Sequence, residues 1–152
     1  MAAISWSSGI FQQNVDSGKV MTAENFMFEL DSSIQSVIRH GGSESINYNI
    51  DGTIGLLGSE YNDAIEVKTP VTIGLPNYWI NITRTDSLGS IREILDGNIL
   101  RIELTYPERN DYIVDMYTEG SKVSTPDIII IEKTGITEYQ GKTVIRIKLT
   151  FQ

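Results

Sequence analysis

The sequence predicts a mainly β fold: an antiparallel β-sandwich or small barrel carrying one N-terminal amphipathic α-helix. Three observations predict it. Apolar residues recur at helical spacing from Phe26 to Ile38, and the pattern stops at Gly41-Gly42. From Glu44 onward, short alternating runs are separated by frequent turn signals. The 152 residues include no cysteine, so disulfides, thiolate metal sites and cysteine nucleophiles drop out together. The length suits one domain with an appendage. The expected division is an extended docking arm over 1–21, the helix over 22–42 and a β domain over 43–152.

The helix has signals at both ends. Thr22 suits an N-cap, and Glu24 places negative charge in the first turn. Arg39 and His40 place positive charge in the last turn, before the glycine pair that accepts a left-handed stop. On a wheel of about 100° per residue, Phe26, Met27, Leu30, Ile34, Val37 and Ile38 share one stripe. Glu24, Asn25, Glu29, Asp31, Ser32, Gln35, Ser36 and Arg39 fall outside it. Burying such side chains contributes ~1.5–3 kcal/mol each. Ordering the backbone costs ~1–2 kcal/mol per residue, so the stripe needs a cover. The chain's own sheet supplies one. Copies of the helix in an oligomer supply another, because Met27, Leu30, Ile34 and Val37 have a/d spacing. Phe28 projects onto the polar face and offers a second contact side, to the arm or to a partner.

The arm has no steady period. It carries Ile4, Trp6, Ile10 and Phe11 against only two charges, Asp16 and Lys19. A disordered tail has more charge and fewer aromatics, so the arm is expected to lie on its own body or on a neighbour.

In the body, Ile46, Tyr48 and Ile50 share a face and lead to Asp51-Gly52, a hairpin signal. Asn77 to Thr83 places Tyr78 and Trp79 on opposite faces of a strand. Ile91 to Leu95 reads as strand or as a helical turn, ahead of a second hairpin signal at Asp96-Gly97-Asn98. After it, Leu100, Ile102 and Leu104 alternate with Arg101, Glu103 and Thr105. Asp127 to Glu132 is almost unbroken apolar and predicts a strand buried on both faces. In the last run, Ile145, Ile147, Leu149 and Phe151 face inward.

The charge balance is acidic, with 20 acidic against 12 basic residues and a net charge of −8. With no basic run, phosphate-backbone binding has no footprint, and no nucleic-acid partner is expected. No apolar run reaches the roughly 18 residues of a membrane span, and no membrane partner is expected. A basic n-region is lacking at the start, so no signal peptide is read. His40 is the single histidine, and it is expected to interact with the helix C-terminus. No metal-ligand spacing, phosphate loop or nucleophile elbow stands out, so no cofactor, metal or catalytic residue is assigned. Glu60, Asp63, Glu66, Glu93 and Glu103 cannot be paired from sequence.

Ser17-Gly18-Lys19-Val20-Met21-Thr22-Ala23-Glu24-Asn25-Phe26 resembles a phrase that opens short helices in bacteriophage structural proteins: fibre, baseplate and neck components. Here Asn25-Phe26 reverses the commoner order. The resemblance implies a virion structural or assembly protein that is not an enzyme. It would form a homo-oligomer, expected as a trimer, with other virion structural proteins as partners. It would belong to a tail, fibre, neck or capsid-associated part assembled in the host cytoplasm. The interface residues implied are Ile4, Trp6, Ile10, Phe11, Phe26, Met27, Phe28, Leu30, Ile34 and Val37. The competing expectation is a carbohydrate- or receptor-binding β-sandwich module using Trp79 and Tyr78.

Overall fold

A computed structural model describes residues 2–59, 62–72 and 75–152, with side chains from Ser17 onward except those of 59 and 62. In chain order the elements are α1 (Ala2–His40), β1 (Ser43–Asn47), β2 (Thr53–Ser59), β3 (Asn62–Pro70), β4 (Ile80–Asn81), β5 (Ser90–Asp96) and β6 (Ile99–Thr105). They continue with β7 (Tyr112–Thr118), β8 (Val123–Ser124), β9 (Ile128–Tyr139) and β10 (Lys142–Phe151). The fold is mainly β, with two sheets and one N-terminal helix, consistent with a β-sandwich.

The four-stranded sheet has the order β1-β9-β10-β7, and the six-stranded sheet β4-β5-β6-β3-β2-β8. All pairs are antiparallel except β7 with β10, which is parallel. The antiparallel arrangement expected from the sequence holds for every pair but this one. The β9–β10 hairpin enters the sheet with β10 beside β7, and this sets β7 and β10 running the same way. A β-bulge falls in the β9–β10 ladder at Arg146/Ile147.

Helix α1 contacts β1, β9 and β10 of one sheet and β3 and β6 of the other. Met27, Leu30 and Ile34 join Ile65, Ile102, Leu104, Ile129, Ile131 and Ile147 in one fully buried core. The helix stops where expected: the Gly41 N–H donates to the Val37 carbonyl at 2.8 Å, and Gly41 and Gly42 take φ of 74° and 75°. His40 Nδ1 lies 3.2 Å from the Ser36 carbonyl oxygen.

Its start differs from expectation. The helix is already formed at Ala2, so residues 2–21 are not an extended arm. The reason lies at Thr22, whose hydroxyl donates to the Gly18 carbonyl at 2.8 Å instead of capping forward. A threonine bonding four residues back is a helix-interior residue, and the sequence alone does not separate that use from a cap.

Asp51-Gly52 does not make a hairpin either. β1 and β2 belong to different sheets, and the dipeptide is a corner between them. The Tyr48 hydroxyl donates to the Gly52 carbonyl at 2.9 Å, and the Thr69 hydroxyl donates to the Asp51 carbonyl at 2.7 Å. Asp96-Gly97-Asn98 is a hairpin as expected, joining β5 to β6 with Gly97 at φ 63°. β9 is an inner strand but not buried on both faces. Ile129 and Ile131 are buried, whereas Ile128 is exposed.

Candidate functional site

The interface residues expected on the helix divide into groups. Phe26, Met27, Leu30, Ile34 and Val37 are buried in the chain's own core, so the two sheets cover the stripe. This corrects the expectation that these residues meet copies of the helix: side chains enclosed between two sheets present nothing to a neighbour. The side chains of Ile4, Trp6, Ile10 and Phe11 lie outside the described residues. Phe28 does sit off the stripe, half-buried, with the Arg84 guanidinium 3.7 Å from its ring centroid.

Phe28 and Arg84 line a groove of about 580 Å³ between the polar face of α1 and the loop over 84–87. Its charged lining is mixed, with Glu29 and Asp86 set against Arg39 and Arg84. The groove's inner end is fixed by Asp31. This carboxylate is 2% exposed, although the helical wheel places it outside the apolar stripe. It accepts the N–H groups of Leu88 and Gly89 at 3.1 and 2.8 Å and the Tyr106 hydroxyl at 2.8 Å. Burial, followed by the Asp31 charge, pushes the Tyr106 phenol well above its ordinary range. A Cβ at position 89 would press on Leu104, the Thr105 carbonyl and Asp31. Asp31 thus ties the helix to the loop before β5, which no periodicity in the sequence marks.

Trp79 is not a free stacking platform. Arg92 lies 3.9 Å and Arg101 5.5 Å from its ring. Arg92 donates twice to Glu103, at 3.1 and 2.9 Å, and Arg101 twice to Glu66, at 3.0 and 2.8 Å. Glu66 and Glu103 are direct cross-strand neighbours with buried carboxylates, and the two guanidinium groups offset their repulsion. The Trp79 indole covers this ladder on the outer face of the six-stranded sheet. Tyr78 is 65% exposed.

Carboxyl groups that the sequence could not pair come together in two places. Glu93 of β5 is buried beside Glu24 of α1. Burial first, and then the hydrogen bond and charge of Glu24, push its carboxyl up to about 8. Its Oε2 has no hydrogen-bond partner among the described residues. Asp63 of β3, which accepts the Met116 N–H of β7 at 3.0 Å, has its carboxyl pushed up to about 6, chiefly by burial. Asp63 and Asp115 line a cleft of about 320 Å³ together with Tyr117, Thr118, Lys122 and Arg146. Among the described residues no three His, Cys, Asp or Glu side chains are placed to share a metal ion. No described helix is long and apolar enough to cross a membrane.

No protein family, curated protein or solved structure matches this chain. What the fold defines is a class: a two-sheet β body clasping the rear of a long N-terminal helix.

Proposed function

We propose that this chain is a structural assembly protein of a virion, belonging to a bacteriophage tail, fibre, neck or capsid-associated part. The helix is its means of attachment. One observation carries the reading. The helix is a single element of 39 residues, and its rear, from Val20 to Val37, is locked into the β body by buried side chains. The front of the same element holds Ile4, Trp6, Ile10 and Phe11 with almost no charge. Met21, where the front meets the rear, is 61% exposed. Isolated helices of this front's length are marginal in water, so a partner that buries it gains both apolar contact and helix formation.

The partner in this reading is first a further copy of the chain, forming a homo-oligomer, with a trimer as the expected state, and then other virion structural proteins. Aromatic anchors at such contacts carry ~2 kcal/mol or more each. The test is the molar mass by light scattering of the full chain and of a Trp6→Gln/Phe11→Gln variant. The full chain is expected as an oligomer and the variant as a monomer with unchanged β circular dichroism. Equal masses for the two proteins would overturn the reading.

A further inference from the structure

Among the described residues, every lysine and arginine reaches a carboxylate or a backbone carbonyl except Arg39, Arg84 and Lys122. The chain has 20 acidic against 12 basic residues, so an unpaired carboxylate needs no explanation and an unpaired guanidinium does. Arg39 and Arg84 line the same groove, between the polar face of α1 and the loop over 84–87. Glu29 and Asp86 line it too, and neither makes an ion pair or hydrogen bond with any described residue. Charges of both signs therefore share one groove and leave each other alone.

Two of the groove's charges are held from behind. The Arg84 guanidinium lies over the Phe28 ring at 3.7 Å, which orients it without neutralising it. The loop beneath is closed on itself: the Ser87 N–H donates to the Arg84 carbonyl at 3.1 Å, and the Arg84 N–H donates to the Ser87 hydroxyl at 3.3 Å. At the inner end, Asp31 Oδ1 accepts from Gly89 and Tyr106, whereas Oδ2 accepts only from Leu88. A carboxylate oxygen with one donor keeps a lone-pair site to spare. On the helix wall, Phe28, Ser32, Gln35 and Arg39 follow one another at helical spacing, a row about 16 Å long at 1.5 Å per residue. The side chains of Ser32 and Gln35 bond to no described residue.

We propose that this groove is a binding site for a neutral saccharide, with a hexopyranose as the unit it holds. Each sugar hydroxyl both donates and accepts. Such a ligand satisfies Glu29, Asp31 and Asp86 as a donor and Arg39 and Arg84 as an acceptor. Three carboxylates against two guanidinium groups leave the lining slightly negative, which disfavours an anionic ligand. An extended peptide finds little main chain to pair with. The backbone groups of Arg84, Ser87, Leu88 and Gly89 are bonded within the chain, and the helix wall offers none. The volume of about 580 Å³ lies within the ~300–1,000 Å³ of small-ligand clefts. The groove is separate from the face of Trp79 and Tyr78. It lies against the rear of α1, so its test does not depend on how the helix front assembles copies.

The probes are the methyl glycosides of glucose, galactose, mannose and N-acetylglucosamine, titrated into the millimolar range and followed by the amide shifts of the full chain. Methyl glucuronide and glycylglycine are the charged comparisons. At least one neutral glycoside is expected to move the amides of Ser87, Leu88 and Gly89 along a saturable curve, and to bind more tightly than either charged probe. Glu29→Ala and Arg84→Ala change exposed side chains only. Both are expected to keep the native β circular dichroism and to weaken that glycoside about tenfold. No saturable shift with any of the four glycosides would overturn the proposal. Shifts centred elsewhere, as on Trp79, tighter binding of glucuronide or glycylglycine, or native affinity in either folded variant would overturn it equally.

Discussion

The chain uses the dipeptide Asp-Gly twice, at 51–52 and at 96–97, and folds it in two different ways. At Asp96-Gly97 the strands on either side pair with each other, Gly97 takes a positive φ, and a Cβ there would meet open space. This is a two-residue hairpin, but its central pair is Gly97-Asn98 with glycine first, one residue along from the Asp-Gly pair that the dipeptide advertises. At Asp51-Gly52 the flanking strands part to different sheets. Gly52 is needed for a different reason: a Cβ would collide with the backbone carbonyl of Lys68. Turn chemistry therefore licenses a change of direction, but the surrounding packing decides which change occurs. The first glycine answers to local backbone geometry, and the second to a neighbour remote in sequence.

Substitution separates the two. Gly52→Ala is expected to cost ~3 kcal/mol or more in urea unfolding, because rigid backbone stands where the methyl must go. A cost below about 1 kcal/mol would erase the contrast. Thr69→Val and Tyr48→Phe each remove a hydroxyl that holds the corner, and each is expected to cost about 1.5 kcal/mol. Tyr48 adds a pH signature. Burial, with help from the Asp51 charge, pushes its phenol from 10.0 up to about 12. The folded state thus holds this proton more tightly than the unfolded chain. The associated stability is complete below pH 10 and is lost as pH rises toward 12, and Tyr48→Phe should flatten that part of an alkaline melting profile. Tyr106 contributes a separate alkaline loss that the variant leaves in place. Gly97→Ala is expected to cost about 1 kcal/mol, the strain of a left-handed alanine. Asp96→Ala should fall under about 0.5 kcal/mol, since this carboxylate is 71% exposed and its nearest cation, Arg101, is 4.0 Å away.

The same division between local and remote causes governs what was legible in the sequence. The stripe from Phe26 to Val37, the Gly41-Gly42 stop and the alternation in Leu100, Ile102 and Leu104 are local patterns, and all three are buried or terminated as read. The helix start was not legible, because Thr22 caps or back-bonds according to what precedes it. The β9–β10 hairpin carries no local turn signal of that kind either. Its turn is Gln140-Gly141, with Gln140 at φ 51°, a conformation that glutamine does not advertise. The site residues divide in the same way. Phe28 was visible as an anomaly on a polar face. Asp31, Glu24 with Glu93, and Asp63 with Met116 were not, because each contact joins separate elements far apart in the chain.

The place of β10 in the four-stranded sheet has a kinetic consequence. It is the last described strand in chain order, yet it stands between β9 and β7, and β1 reaches that sheet only through β9. No shorter nascent stretch can therefore close this sheet over Met27, Leu30 and Ile34. Folding must wait for distant partners, which argues for a slow, all-at-once condensation, with the helix stripe uncovered until β10 arrives.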